Sequence, residues 1–322
     1  MKKEWLSIIS LSIIATFLFV SIFATILASA YPYLIWNNTS TLELPSSPLI
    51  HSLFSGSGNN EINYKKLFLN GKINAIFPPV AYNPYEKNLD DILIPPGGGK
   101  FGHYMGTDEV GRDIASRMIH GTRNSMMVGL VAVGISLFLG IIIGAIAGYA
   151  GGVTDLILSR IIEIVITFPV LILIMAVLAI MKPSLINIMI VIGLTGWTSV
   201  ARVIRGEFLQ RKNMDYVLAV RIMGASHWRI IVHHILPNSL APVLVMTSFE
   251  IAGAVLIESS LSFLGIGVQP PEPSWGQILN TSKGYIDFAW WLTFFPGLAV
   301  FLVVVSYNLL GDNLRKKFLV RT

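Results

Sequence analysis

Long apolar stretches separated by short charged ones set the pattern of this chain. A helix that crosses a bilayer needs about 20 mostly apolar residues, and six stretches approach or meet that length. Trp5 to Ala30 carries no charge, and none follows until Glu43. Ser125 to Gly152 lies in the charge-free interval between Arg123 and Asp155. Ile164 to Met181 stops at Lys182-Pro183, and Ser184 to Ala201 stops at Arg202. Ser239 to Leu264 is interrupted by Glu250 and Glu258, and Phe288 to Leu310 precedes Asp312. The pattern predicts an all-α integral membrane protein with six transmembrane helices. Lys2-Lys3, the first apolar run and Ala28-Ser29-Ala30 together resemble a secretory signal. The run of about 25 residues exceeds the 7–15 of a signal h-region, so it reads as an uncleaved first span.

Three segments follow from this pattern: an N-terminal span over 1–30, an external insert and gate-proximal segment over 31–124, and a five-helix core over 125–322. The insert is rich in Pro, Gly, Asn and Ser, with Pro45-Ser-Ser-Pro48, Gly56-Ser-Gly58 and Pro95-Pro-Gly-Gly-Gly99. Its weak periodicity predicts a loop-rich cap. It also holds an Asn38-Thr39-Ser40 sequon. Within the core, Gly140, Gly144 and Gly148 recur every four residues. Small residues on one helix face allow close approach in a membrane, against this chain's own helix or a partner's.

Composition supports lipid as the solvent. Hydrophobic residues make up 53% of the chain and charged residues 13%, against roughly 25% charged in a soluble domain; mean hydropathy is +0.67. The net charge of +5 reflects topology and not nucleic acid. With both termini cytoplasmic, Lys2, Lys3, Arg160, Arg202, Arg205, Arg211, Lys212, Arg221, Arg229, Arg315, Lys316, Lys317 and Arg321 face the cytoplasm, while the short outer loops hold Lys182 and Lys283. Zero cysteines exclude disulfides, thiolate metal sites and cysteine nucleophiles.

Between the fourth and fifth spans lies a basic loop, residues 202–237. Asp215 is placed to cap a short helix over Tyr216–Met223, and Gly224 falls where a left-handed residue ends it. Ser226 offers a second cap for His227–Leu236, and Pro237 is expected to stop that helix. Two short helices meeting at a glycine can present a compact knob to a soluble protein, or lie as an amphipathic surface on headgroups.

This loop resembles the signature loop of the membrane subunits of binding-protein-dependent ABC importers. Ala219, Gly224 and Leu236-Pro237 match that pattern, whereas Leu218, Val220 and His234 replace its Glu, second Ala and Ile. Longer stretches resemble the dipeptide/oligopeptide permease C-type subunits: Gly106-Thr-Asp-Glu-Val-Gly-Arg-Asp113, Met223-Gly-Ala-Ser226, His234-Ile-Leu-Pro-Asn238, Leu261-Ser-Phe-Leu-Gly265 and Gln269-Pro-Pro-Glu-Pro-Ser-Trp-Gly276. The resemblance covers residues 100–322 densely, and the 31–100 insert is longer than expected for such subunits. It implies a type I importer permease fold in the cell inner (cytoplasmic) membrane. Implied partners are a second permease subunit forming a heterodimer, two cytoplasmic ATPase subunits, an external solute-binding protein and membrane lipid, with no nucleic acid. No cofactor is implied in this chain; ATP and Mg are held by the ATPases. Coupling to an ATPase would rest on Asp215, Tyr216, Ala219, Arg221, Gly224, Ala225, Ser226, Leu236 and Pro237. The substrate would be a di- or oligopeptide, although related subunits also serve nickel complexes and glutathione.

Other chemistry is sparse. Gly97-Gly-Gly-Lys100 lacks the Gly-x4-Gly-Lys-Ser/Thr spacing of a phosphate loop and reads as a turn. Glu258, within a family motif, is a candidate for the translocation path or a subunit contact, or a structural pair; Glu250 has no family counterpart. Both are costly in a membrane and should face the bundle interior or water. Arg160 and Glu163 have the spacing of a local ion pair. Asp108, Arg112 and Asp113 are candidates for an external gate or binding-protein contact, or for capping a short helix. Adjacent His233 and His234 point about 100° apart on a helix, without a Cys or carboxylate within a turn, which disfavours a metal. Gly224-Ala-Ser-His227 lacks the Gly-x-Ser-x-Gly of a serine nucleophile. The alternative to an importer subunit is a self-sufficient secondary transporter or channel, for which inverted repeats are expected and none is evident.

Overall fold

The computed structural model describes residues 2–36, 42–43, 64–99, 102–181 and 184–319. Asn38, the Pro45–Pro48 and Gly56–Gly58 stretches, Lys100, Lys182-Pro183 and Arg321 lie outside the described residues. The helices are α1 (Lys2–Ile22), α2 (Ala24–Leu27), α3 (Tyr64–Leu69), α4 (Ile114–Ala150), α5 (Gly152–Thr167), α6 (Val170–Ile180), α7 (Leu185–Arg211), α8 (Asp215–Ile222), α9 (His227–Arg229), α10 (Leu236–Phe263), α11 (Trp275–Ser282) and α12 (Trp291–Leu319). Among the described residues, five helical stretches are long and apolar enough to cross a membrane, and the bent pair α5–α6 would be a sixth if it counts as one span.

Several spans differ in extent from expectation: the first helix ends at Ile22 and the last runs on to Leu319. The third does not run straight from Ile164 to Met181: α5 and α6 meet at Phe168-Pro169 with a bend of 83°. Proline lacks an N–H and disfavours helical geometry in the residue before it. Accordingly Phe168 is extended, with φ −81° and ψ 130°. The second span begins earlier, at Ile114, and the fourth continues ten residues beyond Ala201 to Arg211. The first third of the expected loop is therefore helix, N-capped at its far end by Ser184, whose hydroxyl accepts from Asn187 N at 3.2 Å.

The chain forms two compact units. The first comprises residues 1–14, 127–261 and 301–322. Here the glycine stripe has its partner, in this chain's own α7. A methyl group on Gly140 would lie 2.5 Å from Val200 Cβ, one on Gly144 2.5 Å from the Ala201 carbonyl oxygen, and one on Gly148 2.6 Å from Phe208 Cβ. Nothing larger than hydrogen fits, so the two backbones run in direct contact. Val200, Ile204 and Phe208 then continue into a buried cluster with Val217, Ile230, Ile235 and Val243.

The second unit comprises residues 15–126 and 262–300. Its described insert residues are mostly loop, as expected, with a few short elements. In a three-stranded antiparallel sheet, β1 (Leu34–Trp36) pairs with β2 (Leu42–Glu43) and β3 (Asn74–Ile76), giving the order β2-β1-β3. Two- and three-residue strands are too short to show an alternating pattern, which is why the sequence predicts helices alone. Ala28 pairs with Val80, and Gly98 with His103, as isolated bridges. Gly97 and Gly99 take φ +83° and +84°, consistent with a turn.

Candidate functional site

The most unusual surface belongs to α8–Gly224–α9. Val217, in the middle of α8, is fully buried against the cluster that includes Phe208, Ile230 and Ile235, and Ala225 and Leu236 pack partly buried on the same cluster. Gly224 has φ +84°; its N–H donates to the Arg221 carbonyl at 3.0 Å and that of Ala225 to the Val220 carbonyl at 3.3 Å, closing the helix. The Ser226 hydroxyl accepts from Arg229 N at 3.4 Å, as a cap should. Nearby, the Tyr149 hydroxyl lies 2.6 Å from His227 Nδ1.

Two expectations need correction. Asp215 is not the cap: Met214 holds that position, and Asp215 is the first helical residue with no side-chain capping bond. Its charge still suits a helix N-terminus. Nor does Pro237 end the second helix. The chain passes from α9 through a π-helical turn, Ile230–Ile235, straight into α10. A proline removes a donor and crowds the carbonyl four residues back. The wider turn precedes it, and the His234 carbonyl, next in line, accepts from Asn238 Nδ2 at 2.7 Å.

The tip that this base holds out is apolar. Ile222, Met223 and Trp228 are 87%, 76% and 72% exposed, beside exposed Arg221 and Arg229. Apolar groups grouped within a charged rim mark a surface that meets something else. Of the expected coupling residues, Asp215, Tyr216, Ala219, Arg221, Gly224, Ser226 and Pro237 are exposed, and Ala225 and Leu236 belong to the base. Ile222, Met223 and Trp228 were not picked out by motif spacing; the available signal was large apolar residues at the two ends flanking a positive-φ glycine.

In the second unit, Asp108, Arg112 and Asp113 are withdrawn from the surface, with Asp108 and Asp113 each 1% exposed. Asp108 Oδ2 accepts from Arg112 Nε at 2.6 Å, and Asp108 Oδ1 accepts from the Val110 and Arg112 N–H groups. Asp113 caps α4 by accepting from Ser116 N at 2.7 Å and faces His103 Nδ1 at 2.8 Å. These three side chains spend their polar atoms bracing the loop that carries them. Arg117, missed in the sequence, is fully buried and ties this loop to α11, donating to Gln277 Oε1 at 2.5 Å and to the Pro84 carbonyl at 3.0 Å. The Trp291 indole donates to the Thr107 carbonyl at 3.1 Å. Outside the spans, burial pushes the Lys65 ammonium below its ordinary pKa against the opposing pull of Glu86, 2.9 Å away. Burial, then Glu272, pushes the Tyr85 phenol up to about 12.

A cavity of about 390 Å³ lies within the first unit, with Ser136, Leu173, Gly196, Arg202, Phe249 and Glu250 in its wall. Glu258 is not part of it. That side chain is fully buried within this chain. Arg160 and Glu163 form the expected ion pair at 2.7 Å, on an exposed face.

The family profile described as binding-protein-dependent transport system inner membrane component matches residues 140–320. The chain belongs to this family. Among its relatives, the di/tripeptide transport system permease protein DppC of Pseudomonas aeruginosa is 40% identical over 246 residues, 75% of this chain and 81% of that protein. The oligopeptide transport system permease protein OppC of Bacillus subtilis is 35% identical over 241 residues, 75% of this chain and 79% of its own length. A crystal form of the inward-facing MetNI methionine ABC transporter matches at TM-score 0.52 and 18% identity, covering 63% of this chain and 97% of that one, which shows a shared fold. This inner membrane component is therefore a multi-pass permease subunit of the peptide type, with the type I importer fold anticipated from its motifs.

Proposed function

We propose that this permease subunit forms half of the translocation path of an ATP-driven importer for di- or oligopeptides, and that the α8–Gly224–α9 knob docks on a cytoplasmic ATPase. The partners are a second permease subunit, two ATPases that bind ATP and Mg, and an external solute-binding protein. Both termini face the cytoplasm in this reading. One observation carries it: a polar, basic loop holds Ile222, Met223 and Trp228 in solvent on a buried base. Short rigid helices transmit a displacement as a rigid body, whereas a flexible loop absorbs it.

The chain has no cysteine, so single cysteines at Ile222 and Trp228 give clean crosslinking probes. Crosslinks from both to a nucleotide-binding subunit are the expected result. Accumulation of solute by vesicles holding the purified chain alone would overturn the reading in favour of a self-sufficient transporter.

A further inference from the structure

The cavity beside Glu250 has a chemistry that the membrane does not explain. Its wall is mostly apolar, yet it contains one carboxylate, Glu250, one guanidinium, Arg202, and the hydroxyl residues Ser136, Thr195, Thr198 and Ser199. Ser136 Oγ is buried and faces the Glu250 carboxylate, too loosely placed to meet strict hydrogen-bond geometry. A methyl group on Gly196 would sit 3.0 Å from Ser136 Oγ and 3.4 Å from Glu250 Oε2. The two oxygens therefore flank one small gap that is open because residue 196 has no side chain. None of the ion pairs among the described residues includes Glu250 or Arg202. A carboxylate at membrane depth without a cation is costly, and such residues mark substrate paths.

The geometry points to this gap as a subsite for a primary ammonium group. Glu250 and Ser136 accept its hydrogens, and its occupant is a short zwitterionic peptide that enters amino end first toward Glu250. Arg202 lies six residues along α7 from Gly196, about 9 Å by helix rise, which is the reach of two to three extended residues. The opposite charge at that distance suits the peptide's carboxylate, and Leu173 and Phe249 supply apolar wall for side chains. A volume of about 390 Å³ lies within the range of small-ligand sites. This inference rests on the permease reading above.

The test uses membranes holding the assembled transporter and a Ser136→Cys variant, modified by 2-aminoethyl methanethiosulfonate and followed by mass spectrometry of this chain. Ala-Ala at about ten times its half-saturating concentration is expected to slow modification about tenfold, since an occupied site is shielded. N-acetyl-Ala-Ala, which lacks the ammonium, should not slow it. Adding Glu250→Gln should abolish the protection. Equal protection by both peptides, protection that survives Glu250→Gln, or no protection at all would each overturn the subsite. In the otherwise unaltered chain, Gly196→Ala should raise the KM for ATP-driven Ala-Ala uptake more than it lowers kcat; an unchanged KM counts against the proposal. Failure of the wild-type complex to take up Ala-Ala with ATP would instead sink the permease reading beneath it.

Discussion

Arg205 on α7 grips Asp155 on α5 with two nitrogens: Nη2 donates to Oδ2 at 2.8 Å, and Nε donates to Oδ1. Beside this pair, Lys212 Nζ, just past the end of α7, donates to the Gly148 carbonyl of α4 at 2.9 Å. Planar two-point binding is specific to guanidinium. Arg205→Lys should therefore destabilise the purified protein by about 1 kcal/mol, since the pair is only partly buried. Denaturation in detergent reads the loss. A cycle with Asp155→Asn should show the two changes to be non-additive.

Gly144 gives a sharper packing test. A methyl there meets the Ala201 carbonyl oxygen at 2.5 Å and Ile204 Cβ at 2.9 Å, whereas one at Gly134, on the same helix, meets nothing within 4 Å. Gly144→Ala should cost about 1–3 kcal/mol, as overpacking does. Gly134→Ala should be neutral or slightly stabilising. Equal effects on thermal stability would mean that α4 and α7 are not in backbone contact.

The contrast between these glycines shows what the chain's pattern can and cannot reveal. Spacing every four residues picked out Gly140, Gly144 and Gly148 as a packing face, because helical periodicity places them together without reference to the rest of the fold. It could not say that the opposing face is Val200, Ile204 and Phe208, because that pairing joins residues some sixty positions apart. Gly224 was likewise legible, since a helix stop is a local event, and its φ of +84° agrees. Pro237 misled for the same reason. Local rules stop a helix at proline, and the π turn just before it lets α10 continue. Glu250 was visible as an intramembrane acid, but its gap beside Gly196 and Ser136 exists only once three helices assemble.

Gly224 separates backbone strain from surface chemistry. Its surroundings are open, so a side chain meets no atom within 4 Å, and only the positive φ penalises one. Gly224→Leu should cost about 1–2 kcal/mol locally and weaken ATPase-coupled uptake, while Gly224→Asn, which tolerates the left-handed region, should retain most of it. Ile222→Glu should leave stability within about 0.5 kcal/mol, as exposed substitutions do, yet abolish uptake. Loss of folding in Ile222→Glu, or full uptake by it, would contradict an exposed docking tip.

Asp113 allows the bracing of the second unit to be measured. One carboxylate oxygen caps α4 through Ser116 N at 2.7 Å, and the other faces His103 Nδ1 at 2.8 Å. The carboxylate only accepts, so the ring presents its proton at Nδ1. Asp113→Ala removes the cap, worth about 1 kcal/mol, and strands a buried ring nitrogen, costing about 1–3 kcal/mol more. Asp113→Asn keeps the cap through its carbonyl, and its amide can donate to Nδ1 once the ring proton moves to Nε2. That nitrogen has no hydrogen-bond partner now and lies 3.7 Å from Asp91, so the cost should fall to about 1 kcal/mol or less. Limited proteolysis within residues 64–126 should then be fast for the alanine variant and near wild type for the asparagine one. Equal cleavage of the two would mean that the Asp113 hydrogen bonds do not hold this segment.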